Sequence, residues 1–274
     1  MNKFPLCVII YLTDFCPLQC KHCFLVQNDC INKHKIDFDC LRKTLEELRE
    51  NNVYMIAFTG GDPLLHPDLY QILKYTSNLD MLPLLGISGI GINQENAMNI
   101  YNSGVRCVQI GFNGSYSDLN DEYRGSGTFK QLKMAVLTLQ NNGLNVNLSF
   151  CLDKNNYRDL NNMLDFSNKL NAYKVKIEFW KSMSNSTENE LSQTEMINVY
   201  NNCVKYMDKF NKKDWIQCPK CRSDLVQIHH SAIVIMPNGD VKYNEVSPAL
   251  GNIYHESITD IINRNGDEKN NGKK

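Results

Sequence analysis

Three cysteines lie close together near the start of the sequence, in the stretch TDFCPLQCKHCF. Three residues separate Cys16 from Cys20, and two separate Cys20 from Cys23. In a reducing compartment, thiols grouped at short spacing are more often metal ligands than disulfides. A structural zinc ion takes four protein ligands, whereas a [4Fe–4S] cluster held by three cysteines keeps one iron free for another ligand. The spacing therefore favours a cluster.

A zinc knuckle is the alternative, with its fourth ligand from His22, His34 or Cys30. The second short-spaced pair that such a knuckle uses is missing from this stretch, which argues against zinc. The chain has eleven cysteines, an odd number that does not suit a secreted disulfide scaffold. Three isolated thiols in apolar surroundings are predicted to be small buried side chains: Cys7, Cys40 and Cys107.

A Gly-Gly-Asp-Pro sequence follows the second apolar run, in FTGGDPLLHPDL. Gly60 and Gly61 allow the backbone to approach a ligand closely, and their carbonyls can accept from an ammonium group. The carboxylate of Asp62 beside them would favour a positively charged amine. The alternative is a turn that opens a helix, with Asp62 as its cap.

The loops after the third and fourth apolar runs carry further polar candidates. Ser88 lies in the Gly-rich loop GISGIGIN, and Asn113 follows VQIGF. Arg124 ends the segment after Asn113, and a guanidinium suits a planar carboxylate bidentately. A solvated surface arginine is the alternative for Arg124.

Alternating apolar runs and helical patterns define the elements that must position these residues. Short β-rich runs occupy 8–12, 53–58, 82–87, 105–112, 144–152 and 174–180. Helical patterns lie between them at 38–50, 69–77, 94–102, 129–142 and 157–170. Six β-rich runs that alternate with helical patterns predict right-handed βαβ units and a parallel sheet. A closed eight-unit barrel needs about 250 residues. We therefore expect an α/β fold, a partial (βα)6 TIM-like barrel, with its active site on the loops after the strands.

Composition excludes several classes of function. The chain has 274 residues and a net charge of −1, with acids and bases interspersed. It has no basic stripe for nucleic acid and no apolar segment long enough to span a membrane. We expect a cytoplasmic protein.

The C-terminal part predicts a short α+β extension. In residues 232–244, alternating β-rich residues lie on both sides of an Asn-Gly turn, which predicts a β-hairpin. Residues 250–261 predict a turn and an amphipathic helix. The predicted domains are 1–185 for the barrel, 186–264 for the extension and 265–274 for a disordered tail. Cys218 and Cys221 form a CxxC pair, which suits half of a zinc site, half of a cluster site or two core thiols.

Taken together, CPLQCKHC and its context resemble the CxxxCxxC motif of the radical S-adenosylmethionine (SAM) enzymes. The resemblance implies a [4Fe–4S] cluster on Cys16, Cys20 and Cys23, whose free iron binds the amino and carboxylate groups of SAM. The reduced cluster then cleaves SAM, and a 5′-deoxyadenosyl radical abstracts a substrate hydrogen atom. It also implies cofactor contacts from several residues of the loops: His22, Gly60, Gly61, Asp62, Ser88, Asn113 and Arg124. Asp62 stands where the family has Glu, and Asn113 stands where it usually has an acid.

The C-terminal extension resembles the SPASM or twitch region of radical SAM peptide-modifying enzymes. It departs from that pattern, because Asn244 stands where a cysteine is expected and no cysteine follows Cys221. A degenerate extension is the expectation. The alternatives are an auxiliary cluster on Cys218 and Cys221, or a hydrogen-atom donor among Cys151, Cys218 and Cys221.

The resemblance implies a ribosomally made peptide or protein as substrate, crosslinked or epimerised, and a reduced flavodoxin or ferredoxin-type electron donor. One alternative is a radical SAM enzyme that acts on a small molecule in cofactor or haem-related biosynthesis. Another is a non-catalytic metal-binding interaction protein.

Overall fold

The computed structural model describes residues 4–23, 25, 34–182, 187–220 and 233–271. The strands in these residues are β1 (Cys7–Tyr11), β2 (Met55–Thr59), β3 (Leu82–Ile87), β4 (Cys107–Phe112), β5 (Asn145–Leu152), β6 (Lys174–Phe179), β7 (Ile216–Gln217), β8 (Ile233–Ile235), β9 (Asp240–Lys242) and β10 (Gly251–Asn252). They form one sheet in the order β10-β9-β8-β1-β2-β3-β4-β5-β6-β7. The strands from β8 through β1 to β7 are parallel. The sheet stays open, so the predicted partial barrel is confirmed.

Helices connect the strands on one face. The α-helices of the described chain are α1 (Phe38–Glu50), α2 (Leu69–Asn78), α3 (Gln94–Asn102), α4 (Ser117–Arg124), α5 (Thr128–Asn141), α6 (Leu160–Lys169), α7 (Gln193–Lys209) and α8 (Ile258–Asn271). Helix α1 shows why they form. Asp37 caps it by accepting from the Cys40 backbone N–H at 2.9 Å, and its face of Leu41, Leu45 and Leu48 is buried.

Strand residues alternate between two environments, a buried face that the helices cover and a half-buried face on the other side. On β6, Val175, Ile177 and Phe179 are buried in the core that the helices cover, while Lys176 and Glu178 between them are only half-buried. The same alternation runs through β1 to β5. We call the side opposite the helices the lumen face.

The C-terminal strands join the barrel sheet. Strand β7 lies parallel beside β6, with Val175 opposite Ile216, and β8 lies parallel beside β1, with Val8 opposite Ile233. The predicted hairpin is present as β8 and β9, and Gly239 at its turn has a φ of 87°. The division at residue 185 stays a prediction, since the sheet itself continues across it.

Three helical features differ from the sequence prediction. Helices α4 and α7 were not expected, because their polar composition hides short buried stripes. The predicted helix at 157–170 divides into a 3₁₀ turn, Tyr157–Asp159, and α6. Helix α8 reaches Asn271, so residues 265–271 are helical where the polar composition predicts a disordered tail. Within the described ranges no helix is long and apolar enough to cross a membrane.

Candidate functional site

The three cysteines lie on the loop that leaves the carboxyl end of β1. All three are free and half-buried, and the Cys23 backbone N–H donates to the Cys20 carbonyl at 3.0 Å, which closes a tight turn. Burial is the main cause that raises the pKa of the Cys16 thiol to about 12. The charges of Asp62, Cys20 and Cys23 act in the same direction, so the thiols lie within electrostatic reach of one another. A metal centre that coordinates such a thiol deprotonates it.

The donor set fits an iron–sulfur cluster better than a zinc ion. In the part of the chain that the structure describes, no three His, Cys, Asp or Glu side chains converge as ligands of a single metal ion. Of the proposed fourth zinc ligands, His22 has both ring nitrogens in hydrogen bonds, and His34 lies 3.5 Å from Asp14. Cys30 lies outside the described residues. A [4Fe–4S] cluster needs no such convergence, because each cysteine binds a different iron.

The glycine pair packs against the cysteine loop. A Cβ on Gly60 would lie 2.3 Å from the Thr13 carbonyl oxygen, and one on Gly61 would lie 2.2 Å from that of Phe15. The Gly61 N–H donates to Thr13 and the Asp62 N–H to Phe15, both at 2.6 Å. The missing side chains therefore make room for the chain's own backbone, and the two loops are held together at the carboxyl ends of β1 and β2.

Asp62 and Ser88 meet between the ends of β2 and β3. The Ser88 hydroxyl donates to Asp62 Oδ2 and accepts from the Ile90 N–H. Asp62 Oδ1 accepts from the Leu64 N–H at 3.1 Å and caps the 3₁₀ turn Pro63–Leu65. Asp62 is only 1% exposed, and burial raises the pKa of its carboxyl. It is therefore a turn cap, as the alternative had it, and at the same time a buried charge beside Cys16.

His22, Asn113 and Arg124 form one hydrogen-bonded chain. Arg124 Nε donates to Asn113 Oδ1 at 2.7 Å, so the amide nitrogen of Asn113 faces His22 Nδ1, at 2.9 Å. Nδ1 therefore accepts, and Nε2–H donates to Asp153 Oδ2 at 3.0 Å. Arg124 Nη2 extends over the Cα of Gly111, where a Cβ would lie 2.3 Å away. Arg124 is thus not a solvated surface side chain.

Asp153 anchors this chain and was missed from the sequence. It accepts from His22 and also from the Tyr123 hydroxyl, at 2.9 Å. Burial opposes the charge of Asp153, but these hydrogen bonds outweigh it and lower the pKa. The tilted rings of Tyr123 and Trp180 lie 4.5 Å and 5.8 Å from that of His22. The signal available in the sequence was position, because Asp153 directly follows β5.

Two groups of residues on or near the sheet lie outside the cluster loop. On the lumen face, Lys176 contacts Glu178 at 2.6 Å, and the Tyr11 hydroxyl donates to Glu245 at 3.0 Å. In the C-terminal part, the neighbouring Cys203 thiol and then burial raise the pKa of the Cys218 thiol. Cys221 lies outside the described residues, so the ligand supply for an auxiliary cluster stays a prediction.

The arrangement is that of the radical SAM superfamily, whose sequence profile matches residues 10–167, more than half of the chain. The chain belongs to this superfamily of enzymes, and its cofactors are a [4Fe–4S] cluster and SAM.

Among known proteins, the chain is similar to the AdoMet-dependent heme synthase of Oleidesulfovibrio alaskensis. The two are 28% identical over 155 residues, which cover 56% of this chain and 40% of the synthase. The PqqA peptide cyclase of Bradyrhizobium diazoefficiens is 28% identical over 176 residues, 63% of this chain and 46% of the cyclase. This chain thus matches less than half the length of these curated relatives.

The fold is similar to that of Streptococcus suis SuiB. The structure of SuiB bound to S-adenosylmethionine superposes with a TM-score of 0.80 at 16% identity, over 94% of this chain and 65% of SuiB. The structure of SuiB bound to the precursor peptide SuiA superposes with a TM-score of 0.79 at 15% identity, over 95% of this chain and 65% of SuiB. At this identity the likeness shows the shared fold alone.

Proposed function

We propose that this chain is a radical SAM enzyme that modifies a ribosomally made peptide or protein, by forming a crosslink or by epimerisation. A reduced flavodoxin or ferredoxin would supply the electron, and the enzyme would act in the cytoplasm. The observation that carries the proposal is the placement of the C-terminal region. Its strand β8 extends the barrel beside β1, and its residue Glu245 contacts the lumen through Tyr11.

This placement suits an extended substrate. On β4 to β6 the lumen face carries polar and small side chains. Glu245 of the C-terminal segment accepts from the Tyr11 hydroxyl on the same face of β1. SuiB, which is similar to this chain in fold, has been solved with a precursor peptide. A peptide can cross such a face and present one residue to the lumen.

The chain's own residues would bind and orient. Cys16, Cys20 and Cys23 would hold the cluster, which together with SAM supplies a hydrogen-abstracting radical. Arg124, half-buried and fixed by Asn113, would pair with the SAM carboxylate. The SAM ammonium would be received by a separate group of acceptors at the ends of β2 and β3: the Gly60 and Gly61 carbonyls and the buried charge of Asp62.

The test begins with anaerobic reconstitution with iron and sulfide. Wild type is compared with a variant in which Cys16, Cys20 and Cys23 are alanine. About four irons, all lost in the variant, are expected together with SAM cleavage to 5′-deoxyadenosine. About eight irons, half of them kept by the variant, would mean that Cys218 and Cys221 help to hold a second cluster. Bound zinc in place of iron, with no cleavage of SAM, would refute the proposed enzymatic function.

The substrate is then tested with synthetic copies of the short peptides encoded beside the gene. A crosslink removes two hydrogen atoms from the peptide, and epimerisation in heavy water introduces one deuterium, so mass spectrometry reads both. The triple-alanine variant is the control. Unchanged peptides would contradict the proposal.

A small-molecule substrate is the second candidate, since the chain is also similar to a heme synthase. Iron-coproporphyrin III is the matching probe. If it is consumed in the presence of SAM while every peptide stays unchanged, the small-molecule function replaces the peptide function.

A further inference from the structure

On β4 to β6 the lumen face of this barrel is polar where a TIM-like barrel is ordinarily packed. Branched apolar side chains fill the interior of a closed barrel. Here the half-buried positions on the lumen face of β4 to β6 include Gln109, Asn147, Cys151, Lys176 and Glu178. The side chains of Lys176 and Glu178 are 39% and 42% exposed although they lie inside the barrel. The lumen is therefore open to water and to polar ligands.

Four side chains concentrate charge in this lumen. Lys176 Nζ lies 2.6 Å from Glu178 Oε1, and the Tyr11 hydroxyl donates to Glu245 Oε1 at 3.0 Å. Burial and then the charge of Glu245 raise the pKa of Tyr11 well above its usual range, and Glu178 adds to this. The charge of Glu178, and to a smaller extent that of Glu245, raises the pKa of Lys176. We call Tyr11, Lys176, Glu178 and Glu245 the lumen charge group.

The lumen charge group has one more negative than positive charge. Its two carboxylates face one ammonium and one phenol, which stays neutral because its pKa is raised. One carboxylate of the lumen charge group thus lacks a cationic counterpart among these residues, in a place that a substrate can reach.

We propose that Glu178 and Glu245 bind a basic side chain, a lysine or arginine, of the peptide that enters the lumen. This inference rests on the proposed function, because it requires the lumen to admit a peptide. A substrate cation between the two carboxylates restores charge balance and forms charge-assisted hydrogen bonds. Lys176 competes with it for Glu178. Since Glu245 comes from the C-terminal segment, that segment takes part in substrate selection.

Two capped amino acids serve as probes: N-acetyl-lysine N-methylamide and its uncharged counterpart, N-acetyl-norleucine N-methylamide. Binding to the reconstituted full chain is followed by ligand-observed NMR at low salt. Wild type is expected to bind the lysine probe more tightly than the norleucine probe. Glu245→Gln is expected to weaken binding of the lysine probe about three- to tenfold and to leave binding of the norleucine probe unchanged.

Two further variants separate recognition from folding. Glu188→Gln removes an exposed carboxylate outside the lumen and is expected to change nothing. Lys176→Gln removes the competing ammonium and is expected to strengthen binding of the lysine probe, an effect in the opposite direction that misfolding cannot produce. Equal binding of both probes to wild type, or weaker lysine binding in Lys176→Gln, would overturn the inference.

The two proposals fail in distinguishable ways. Peptide modification without any preference for the lysine probe keeps the proposed function and refutes the lumen site. A lysine preference that Glu245→Gln abolishes, with every peptide left unmodified, keeps the cation site and refutes peptide modification.

Discussion

Gly61→Ala tests the contact between the glycine pair and the cysteine loop. The new Cβ would lie 2.2 Å from the Phe15 carbonyl oxygen and 2.5 Å from its carbonyl carbon. Both are backbone atoms, so no flexible side chain can move aside. Relief of this overlap requires the two loops to separate by about 1 Å, because unbonded carbon atoms rest at about 3.5 Å.

That separation breaks two hydrogen bonds. The Gly61–Thr13 and Asp62–Phe15 bonds, each 2.6 Å long, would stretch beyond useful length. A lost hydrogen bond costs about 1 kcal/mol, and a buried donor left without a partner costs about 1–3 kcal/mol. We expect a loss of about 2–4 kcal/mol in the free energy of unfolding. At about 2–4 °C per kcal/mol for a domain of this size, Tm falls by about 5–15 °C.

Gly86→Ala is the matched control. Neither Gly61 nor Gly86 has a positive φ, so both substitutions restrict the unfolded chain equally. At Gly86 the nearest atom to an added Cβ is Thr59 Oγ1, at 3.5 Å, an ordinary contact. The assay is thermal unfolding of the apo chains, followed by iron counting after reconstitution. Equal Tm values for the two variants, or full iron content in a Gly61→Ala chain of unchanged stability, would refute the argument that the glycine pair fixes the cysteine loop.

Three further results are expected. Ser88→Ala leaves a buried oxygen of Asp62 without its hydroxyl donor. The free energy of unfolding, measured with urea, should fall by about 1–3 kcal/mol. A fall of less than about 0.3 kcal/mol would contradict the contribution of this contact. Burial lowers the pKa of His66, so the unfolded chain binds the extra proton first. Stability is therefore full above the unfolded value of about 6.5 and is lost as pH falls through the folded pKa. Urea unfolding of His66→Gln should show a weaker dependence on pH in that window, and an unchanged slope would refute this. Cys107→Ser should keep the iron that Cys20→Ser loses, since Cys107 lies on the lumen face away from the cluster loop.

Local patterns were enough to predict the barrel strands. The six runs of β-branched and apolar residues became β1 to β6 with shifts of two residues or fewer at their ends. The Asn-Gly turn at 238–239 predicted the hairpin, because a left-handed turn there needs glycine. Helix ends before Gly104 and Gly143 were predictable for the same reason, and both have positive φ.

Contacts between distant parts of the chain were not predictable in this way. The parallel pairing of β8 with β1 leaves no mark in either strand's own sequence. The link from His22 to Asp153 joins two loops 131 positions apart. The role of the glycine pair was also ambiguous in the sequence, since a missing Cβ can accommodate a ligand or another loop. In the structure, Thr13 and Phe15 occupy that space.

The pairing of β8 with β1 also sets the order in which this protein can be completed during synthesis. Val8 leaves the ribosome well before its partner Ile233, which lies 225 positions further along the chain (233 − 8). At roughly 5–20 residues per second, the outer edge of β1 waits tens of seconds for its neighbour. An uncovered edge strand is a template for pairing with other chains. That edge of β1 therefore stays unpaired on the nascent chain until β8 has been made, and this is the interval in which pairing with another chain is most favourable.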